Sequence, residues 1–187
     1  KRNKVKLLKR PRRKKQYKRY SRPIPGDRVQ MDTMQVCKGI YQYTAVDDCS
    51  RFRVLGIYKR KTAANTIDFL DRVIEEMPFP IQRIQTDRGT EFFAYKVQKF
   101  LKKNSIKFRP VKPRSPHLNG KVERSQRTDM EEFYSIANLN SEDLAQQIEE
   151  WQFFYNWHRP HGSLKAKCPI EIINELIEKT PYWADIY

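Results

Sequence analysis

Three observations predict a mixed α/β domain whose five-stranded mixed sheet is flanked by helices. Three strand-like runs follow one another through short connections between Arg28 and Lys59. A helical period from Thr62 to Met77 is followed by strand, helix and strand. Beyond Gly120 the patterns are helical only.

Pro23, Pro25 and Gly26 punctuate the entry to the domain. The first three runs are Arg28 to Lys38, Ile40 to Val46 and Phe52 to Lys59, with Lys38-Gly39 as a tight turn and 47–50 as a longer one. Connections this short make antiparallel hairpins. Apolar residues Ile67, Leu70, Val73, Ile74 and Met77 recur at three and four, a helix stopped by Pro78 and Pro80. Strand Ile81 to Thr86 comes next, then a helix from Ala94 to Asn104 with Val97, Phe100 and Leu101 inward, and a fifth strand from Ile106 to Arg109. The span from Pro110 to Gly120 is a loop without periodicity. A run lacking Gly and Pro then opens a helix with Glu123 in its first turn. Another helix runs from 138 to His158, its stripe formed by Leu144, Ile148, Trp151 and Tyr155 and widened by Phe154. Trp151 and Phe154 read as core, a dimer face being the alternative. Pro169 to Lys179 is a last short helix, followed by a tail.

Three carboxylates stand out against this frame. Glu123 alone needs no function, because an acid in a first helical turn offsets the helix dipole and pairs with Arg127 four residues on. Asp32 lies inside the first strand-like run and Asp87 ends the fourth. Asp is depleted in strands, and a carboxylate near a core is costly unless it is paired or binds a cation. By contrast, Asp47 and Asp48 are accounted for by turn chemistry.

The spacing leaves 54 residues between Asp32 and Asp87 and 35 between Asp87 and Glu123. The second interval resembles the D,D(35)E pattern of retroviral-type integrases and bacterial insertion-sequence transposases. Met31-Asp32-Thr33 resembles that family's first-strand motif, and Thr86-Asp87-Arg88-Gly89-Thr90-Glu91-Phe92 its second-aspartate motif. The stretch 115–124, with His117, Asn119, Gly120 and Glu123, resembles its glutamate helix. Tyr155-Asn156-Trp157-His158-Arg159-Pro160-His161-Gly162-Ser163-Leu164 resembles the "YN..RPH.SL" tail of the insertion-sequence transposases. The match covers residues 27–172. Cys168-Pro169 stands where related sequences usually show Thr-Pro, a departure expected to affect packing only.

The resemblance implies a ribonuclease-H-like fold and a DNA transposase or integrase that nicks transposon ends and joins the freed 3′-hydroxyl to target DNA. Such a reaction needs charge stabilisation on both the attacking and leaving oxygens, which two Mg²⁺ ions about 3.5 to 4 Å apart provide. Mg²⁺ prefers oxygen ligands and takes only a few from protein, so three carboxylates suffice, and Mn²⁺ can substitute. Asp32 would bridge both ions, Asp87 would complete one and Glu123 the other. Arg88, His117, Asn119, Lys121, Arg124 and Arg127 are candidate DNA contacts; for Arg124 and Arg127 a solvated helix surface is an equal alternative. The loop before Glu123 suits mobility and DNA contact. The family suggests a homodimer or higher multimer. The competing readings are a degenerate DNA-binding or assembly domain and a ribonuclease-H-like nuclease.

Charge is distributed unevenly. The 187-residue chain has a formal net charge of +16, and residues 1–22 hold 13 Lys/Arg and no acid. The remaining 165 residues carry 25 bases against 22 acids. The expected organisation is therefore a basic, disordered arm over 1–26, a catalytic core over 27–172 and a tail over 173–187. The arm reads as a phosphate-binding or interdomain segment, a solvated linker being the plainer alternative. No helix-turn-helix module precedes the core, which leads to the expectation that the chain is a piece of a longer protein. Cys37, Cys49 and Cys168 form no CxxC pair, which fits a reduced intracellular setting, with a bacterial, nucleoid-associated cytoplasmic location expected. His158 and His161 are spaced like half a zinc site but lack a nearby cysteine pair or acid, so structural roles are expected. No stretch approaches the 18 or so apolar residues of a membrane span, so no membrane partner is expected.

Overall fold

A computed structural model describes residues 21–112 and 116–179. The basic arm up to residue 20, positions 113–115 of the loop and the tail over 180–187 lie outside the described residues. Five strands, β1 (Val29–Cys37), β2 (Ile40–Asp47), β3 (Arg53–Tyr58), β4 (Arg83–Thr86) and β5 (Lys107–Pro110), form one sheet in the order β3-β2-β1-β4-β5. β1, β2 and β3 pair antiparallel, and β1, β4 and β5 pair parallel. This is the mixed five-stranded sheet that the sequence predicts. The β1–β2 loop is Lys38-Gly39, with Gly39 at φ 84°, a left-handed conformation that glycine adopts without steric cost.

Helix α1 (Ala63–Glu76) starts at Thr62, whose hydroxyl accepts the Asn65 N–H at 3.2 Å. The helix predicted from Ala94 has a forerunner: α2 (Thr90–Phe93) is a single turn, separated from α3 (Tyr95–Lys103) by extended backbone at Ala94. A 3-10 turn over Pro116–Asn119 occupies the end of the expected loop and leads directly into α4 (Gly120–Thr128). Glu123 lies in the first turn of α4, as predicted. A π-helical turn over Asp129–Phe133 follows, then α5 (Leu144–Trp157) and α6 (Pro169–Lys179).

Strand alternation divides the side chains between two faces. Val29, Met31, Tyr43, Ala45, Val54 and Ile84 join the main core, with Phe69, Leu70 and Val73 of α1, Val97 and Leu101 of α3 and Ile173 of α6. The opposite face holds a smaller cluster of Leu55, Tyr134 and Ile148, with Met34, Val36, Ile57 and Trp151 packed against it. Phe154 departs from its expected core position, being 45% exposed and stacked on Trp151 at 5.8 Å. The inward side of α5 is occupied by Leu144, Ile148, Tyr155 and Asn156, which turns Phe154 outward.

A buried polar network fixes α4 and α5 to this second face. Arg53 is fully buried, pairs with Asp129 at 2.6 Å and donates to Ser125 Oγ at 3.0 Å. Its guanidinium carbon lies 3.3 Å from the Tyr155 ring centroid, close enough for cation–π attraction. Asp129 also accepts from Gln42 at 2.8 Å and from the Trp151 indole at 2.7 Å. Asn156 pairs with the Arg53 backbone on both sides, accepting its N–H at 2.9 Å and donating to its carbonyl at 2.7 Å. Gln152 accepts the Leu55 N–H at 2.5 Å. Two amides of α5 thus satisfy backbone groups of an edge strand.

Candidate active site

The parallel register between β1 and β4 pairs Val29 with Ile84, Gln30 with Gln85 and Met31 with Thr86. The next position on each chain is an aspartate, Asp32 and Asp87. Since Val29, Met31 and Ile84 enter the main core, Gln30 and Asp32 turn to the face covered by α4, as does Gln85. The two acids meet electrostatically. Burial, with a smaller contribution from Asp87, pushes the Asp32 carboxyl up to about 6, while the Thr33 backbone, the Gln126 amide and Lys61 pull it down. Asp87 accepts the Gly89 N–H at 2.9 Å.

The two glutamines that precede these acids by two residues hold the start of α4. Gln30 Oε1 accepts the backbone N–H groups of Lys121 at 3.2 Å and Val122 at 3.4 Å, two amides that have no partner within the helix. Gln85 donates to the Leu118 carbonyl at 2.7 Å. Asp48, which the sequence assigns to turn chemistry, does more: it accepts Gln30 Nε2 at 2.9 Å and pairs with Lys121 at 2.7 Å and Arg28 at 3.0 Å. Asp47 serves its turn, accepting the N–H groups of Cys49 and Ser50 and the Ser50 hydroxyl.

Gln126 of α4 lies near enough to Asp32 to favour its ionised form, although its Nε2 makes no hydrogen bond, and Glu123 lies one turn earlier on the same flank of the helix. Glu123 is exposed, and no group of three His, Cys, Asp or Glu among the described residues is close enough to hold a metal ion. Asp32 and Asp87 are near enough for each to feel the other's charge, and Glu123 stands exposed on the flank of α4.

Sequence reasoning missed several neighbours. Lys61 pairs with the buried Glu91 at 2.9 Å and feels the charges of Asp87 and Asp32. Glu91 lies so close to Gly89 that a Cβ there would stand 2.6 Å from its carboxylate, so the glycine leaves room for the acid. The only advance signal for Gln30 and Gln85 is their period-two spacing from the aspartates.

The candidate DNA contacts fall into different settings. Arg88 is exposed beside Asp87, and His117 and Asn119 lie on the 3-10 turn. Asn119 is 5% exposed and its Oδ1 has no hydrogen-bond partner. Lys121 is committed to Asp48, and burial lowers its ammonium to about 8 despite that pairing. Arg124 and Arg127 are largely exposed, with Arg127 2.6 Å from Glu131. His161 packs on the Tyr155 ring at 4.4 Å, and His158 is exposed.

Two family models described as integrase core domain match the chain, over residues 22–116 and 104–169. "Putative integrase ORF3" of Spiroplasma virus SpV1-C74 is 29% identical over 93% of this chain and 53% of its own length, so the chain spans about half of that relative. The crystal structure of the BIV integrase catalytic core superposes with a TM-score of 0.68 at 22% identity, covering 84% of this chain and 99% of the viral one. The HTLV-2 integrase catalytic core, solved with magnesium in a dimeric form, gives 0.63 at 20% identity over 80% of this chain and 97% of the other. A simian T-cell lymphotropic virus intasome chain gives 0.69 at 19% identity over 82% of this chain and 56% of its own. The shared architecture is the ribonuclease-H-like fold.

Proposed function

Because the chain belongs to the integrase core domain family, we propose that it is the catalytic domain of a DNA transposase or integrase, a metal-dependent polynucleotidyl transferase. The observation that supports the reading is the β1–β4 register, in which Met31 pairs with Thr86 immediately before Asp32 and Asp87, together with the charge that Asp87 exerts on Asp32. Two adjacent carboxylates, one resisting ionisation because it is buried, are a donor set suited to a hard divalent cation. Asp32 and Asp87 would hold Mg²⁺, or Mn²⁺ in its place, with Glu123 completing the set from α4. Such ions supply charge stabilisation for the attacking and leaving oxygens of a phosphodiester.

The chain's own residues prepare that site. Gln30 and Gln85 fix the start of α4 against the strands that carry the acids, so the helix bearing Glu123 is set relative to both. Lys61 limits the repulsion between Asp32 and Asp87. DNA is the proposed substrate, transposon ends as donor and a second duplex as target, with Arg88, His117, Asn119, Arg124 and Arg127 on the approaches. Lys121 is assigned to positioning α4 through Asp48 in addition to any phosphate contact. Copies are proposed to assemble as a dimer or higher multimer that pairs two ends.

The exposed position of Glu123 favours one alternative, a domain that binds DNA without acting on it. Labelled DNA decides between them. Nicking, disintegration and strand transfer should depend on Mg²⁺ or Mn²⁺ and should be abolished in Asp87→Asn and Glu123→Gln, with DNA binding nearly intact. Activity that survives Asp87→Asn removes the acids from their assigned roles, and a wild-type chain that binds DNA without ever nicking it supports the alternative.

A further inference from the structure

A cleft of about 450 Å³ opens on the flank of α4 opposite Glu123. Four cationic side chains, Arg51, Lys121, Arg124 and Arg159, line it together with His161 and Ser163. The last three residues named come from the tail motif that the proposed chemistry leaves without a task.

The acids near these cations are engaged behind or beside them. Asp48 takes Lys121 at 2.7 Å and Arg28 at 3.0 Å, and Glu132 binds Arg159. Arg51 also donates to the Asp48 carbonyl, and holds a left-handed backbone, φ 67°, that a non-glycine residue adopts only under constraint. Arg124 is 65% exposed and its nearest acid, Glu131, stands at 4.0 Å.

A second observation is independent of these charges. His161 is 7% exposed, yet its Nε2 has no hydrogen-bond partner. A buried polar atom left unsatisfied costs free energy unless something supplies its partner. Burial, with Arg159, Arg53 and Arg51 nearby, holds the imidazole down at about 4, so it is neutral when the cleft is empty of anions. An anion among these arginines would offset their repulsion, favour protonation and give Nε2 an acceptor.

We infer that this cleft binds a backbone phosphate of duplex DNA, anchoring the substrate on the side of α4 away from the reacting acids. The inference rests on DNA being the substrate, as proposed above. The space suits a sugar-phosphate link, and a lining dominated by cations fits contact with the backbone, which carries no sequence information.

Gly162 allows a test that leaves the cations in place. A Cβ added there meets nothing within 4 Å, so Gly162→Glu puts a carboxylate at the cleft without displacing a neighbour. Tyr95→Glu, at a position 79% exposed on α3, controls for the change in net charge. Binding of fluorescent duplex DNA is measured by anisotropy across a salt series without divalent metal. Gly162→Glu should bind about five- to tenfold more weakly, with the slope of log K against log salt shallower by about 0.9, the loss of one phosphate contact. Tyr95→Glu should change affinity less than about twofold. Wild-type affinity and slope in Gly162→Glu would overturn the inference.

The His161 ring resonances provide a second readout. Duplex DNA should move them toward the imidazolium position; movement by inorganic phosphate but not by DNA would make the cleft a small-anion site and overturn the inference. Normal binding by Gly162→Glu alongside an inactive Asp87→Asn sinks the cleft and spares the functional reading. Weakened binding by Gly162→Glu alongside an active Asp87→Asn does the reverse. A wild-type chain without affinity for DNA overturns both.

Discussion

At the scale of single residues, Asp32 combines burial with a neighbouring acid, so its ionisation opposes folding in the metal-free protein. Its folded pKa of about 6 exceeds the unfolded value of 3.8. Stability is therefore intact below about pH 4 and falls as pH rises toward 6, where the folded carboxyl finally ionises. In metal-free protein Asp32→Asn should be more stable than wild type at pH 7.5, by roughly 1–3 kcal/mol on the scale of 1.4 kcal/mol per pH unit, and equal to it at pH 4. Thermal unfolding at the two pH values checks this, and a mutant less stable at pH 7.5 would contradict the account. Asp32 stands out in the sequence because a carboxylate within a strand-like apolar run is anomalous wherever the strand lies, whereas Asp87 and Glu123 stand out mainly through their spacing and motifs. Gln30, Gln85 and Lys61 do not, because an amide or a lysine is ordinary anywhere until the register of β1 on β4 shows what it faces.

At the scale of elements, the second face of the sheet is held by polar matching around Arg53 instead of by a large apolar cluster. Asn156→Ala strands the Arg53 N–H and carbonyl and should cost about 2–6 kcal/mol, at about 1–3 kcal/mol for each unsatisfied buried group. Asp129→Ala leaves a buried arginine without its counter-ion and should cost about 3–5 kcal/mol. Urea denaturation measures both; a loss under about 0.5 kcal/mol in either would mean that water or rearrangement replaces the missing group. The apolar periods of α1 and α3 identified those helices from sequence because each buries one simple stripe. The same rule misplaced Phe154, since α5 gives part of its inward surface to an amide that serves the backbone of β3. A period-based reading counts apolar residues and does not anticipate a polar one turned inward.

At the scale of the whole molecule, the hairpins of β1, β2 and β3 followed from their short connections, the placement of β4 beside β1 did not, and charge divides the chain into a basic arm and a nearly balanced remainder. Residues 1–20 hold 12 Lys/Arg. Removing them should weaken DNA binding and flatten its salt dependence by about 0.9 for every phosphate the arm contacts. An unchanged slope would limit the arm to a spacer. No described helix is long and apolar enough to cross a membrane.

The amides of α5 on β3 carry a consequence for how copies of this chain can meet. A sheet with bare backbone along its margin is a template on which a further strand can grow, from a second molecule or from a misfolded one. Here one margin has its Arg53 and Leu55 groups already occupied by Asn156 and Gln152. The other margin, β5, is four residues long and ends in Pro110, which has no N–H to offer. At these positions the borders offer little for a further strand to pair with, so the proposed multimer would be expected to use helices and loops, leaving the sheet intact as protomers associate and separate.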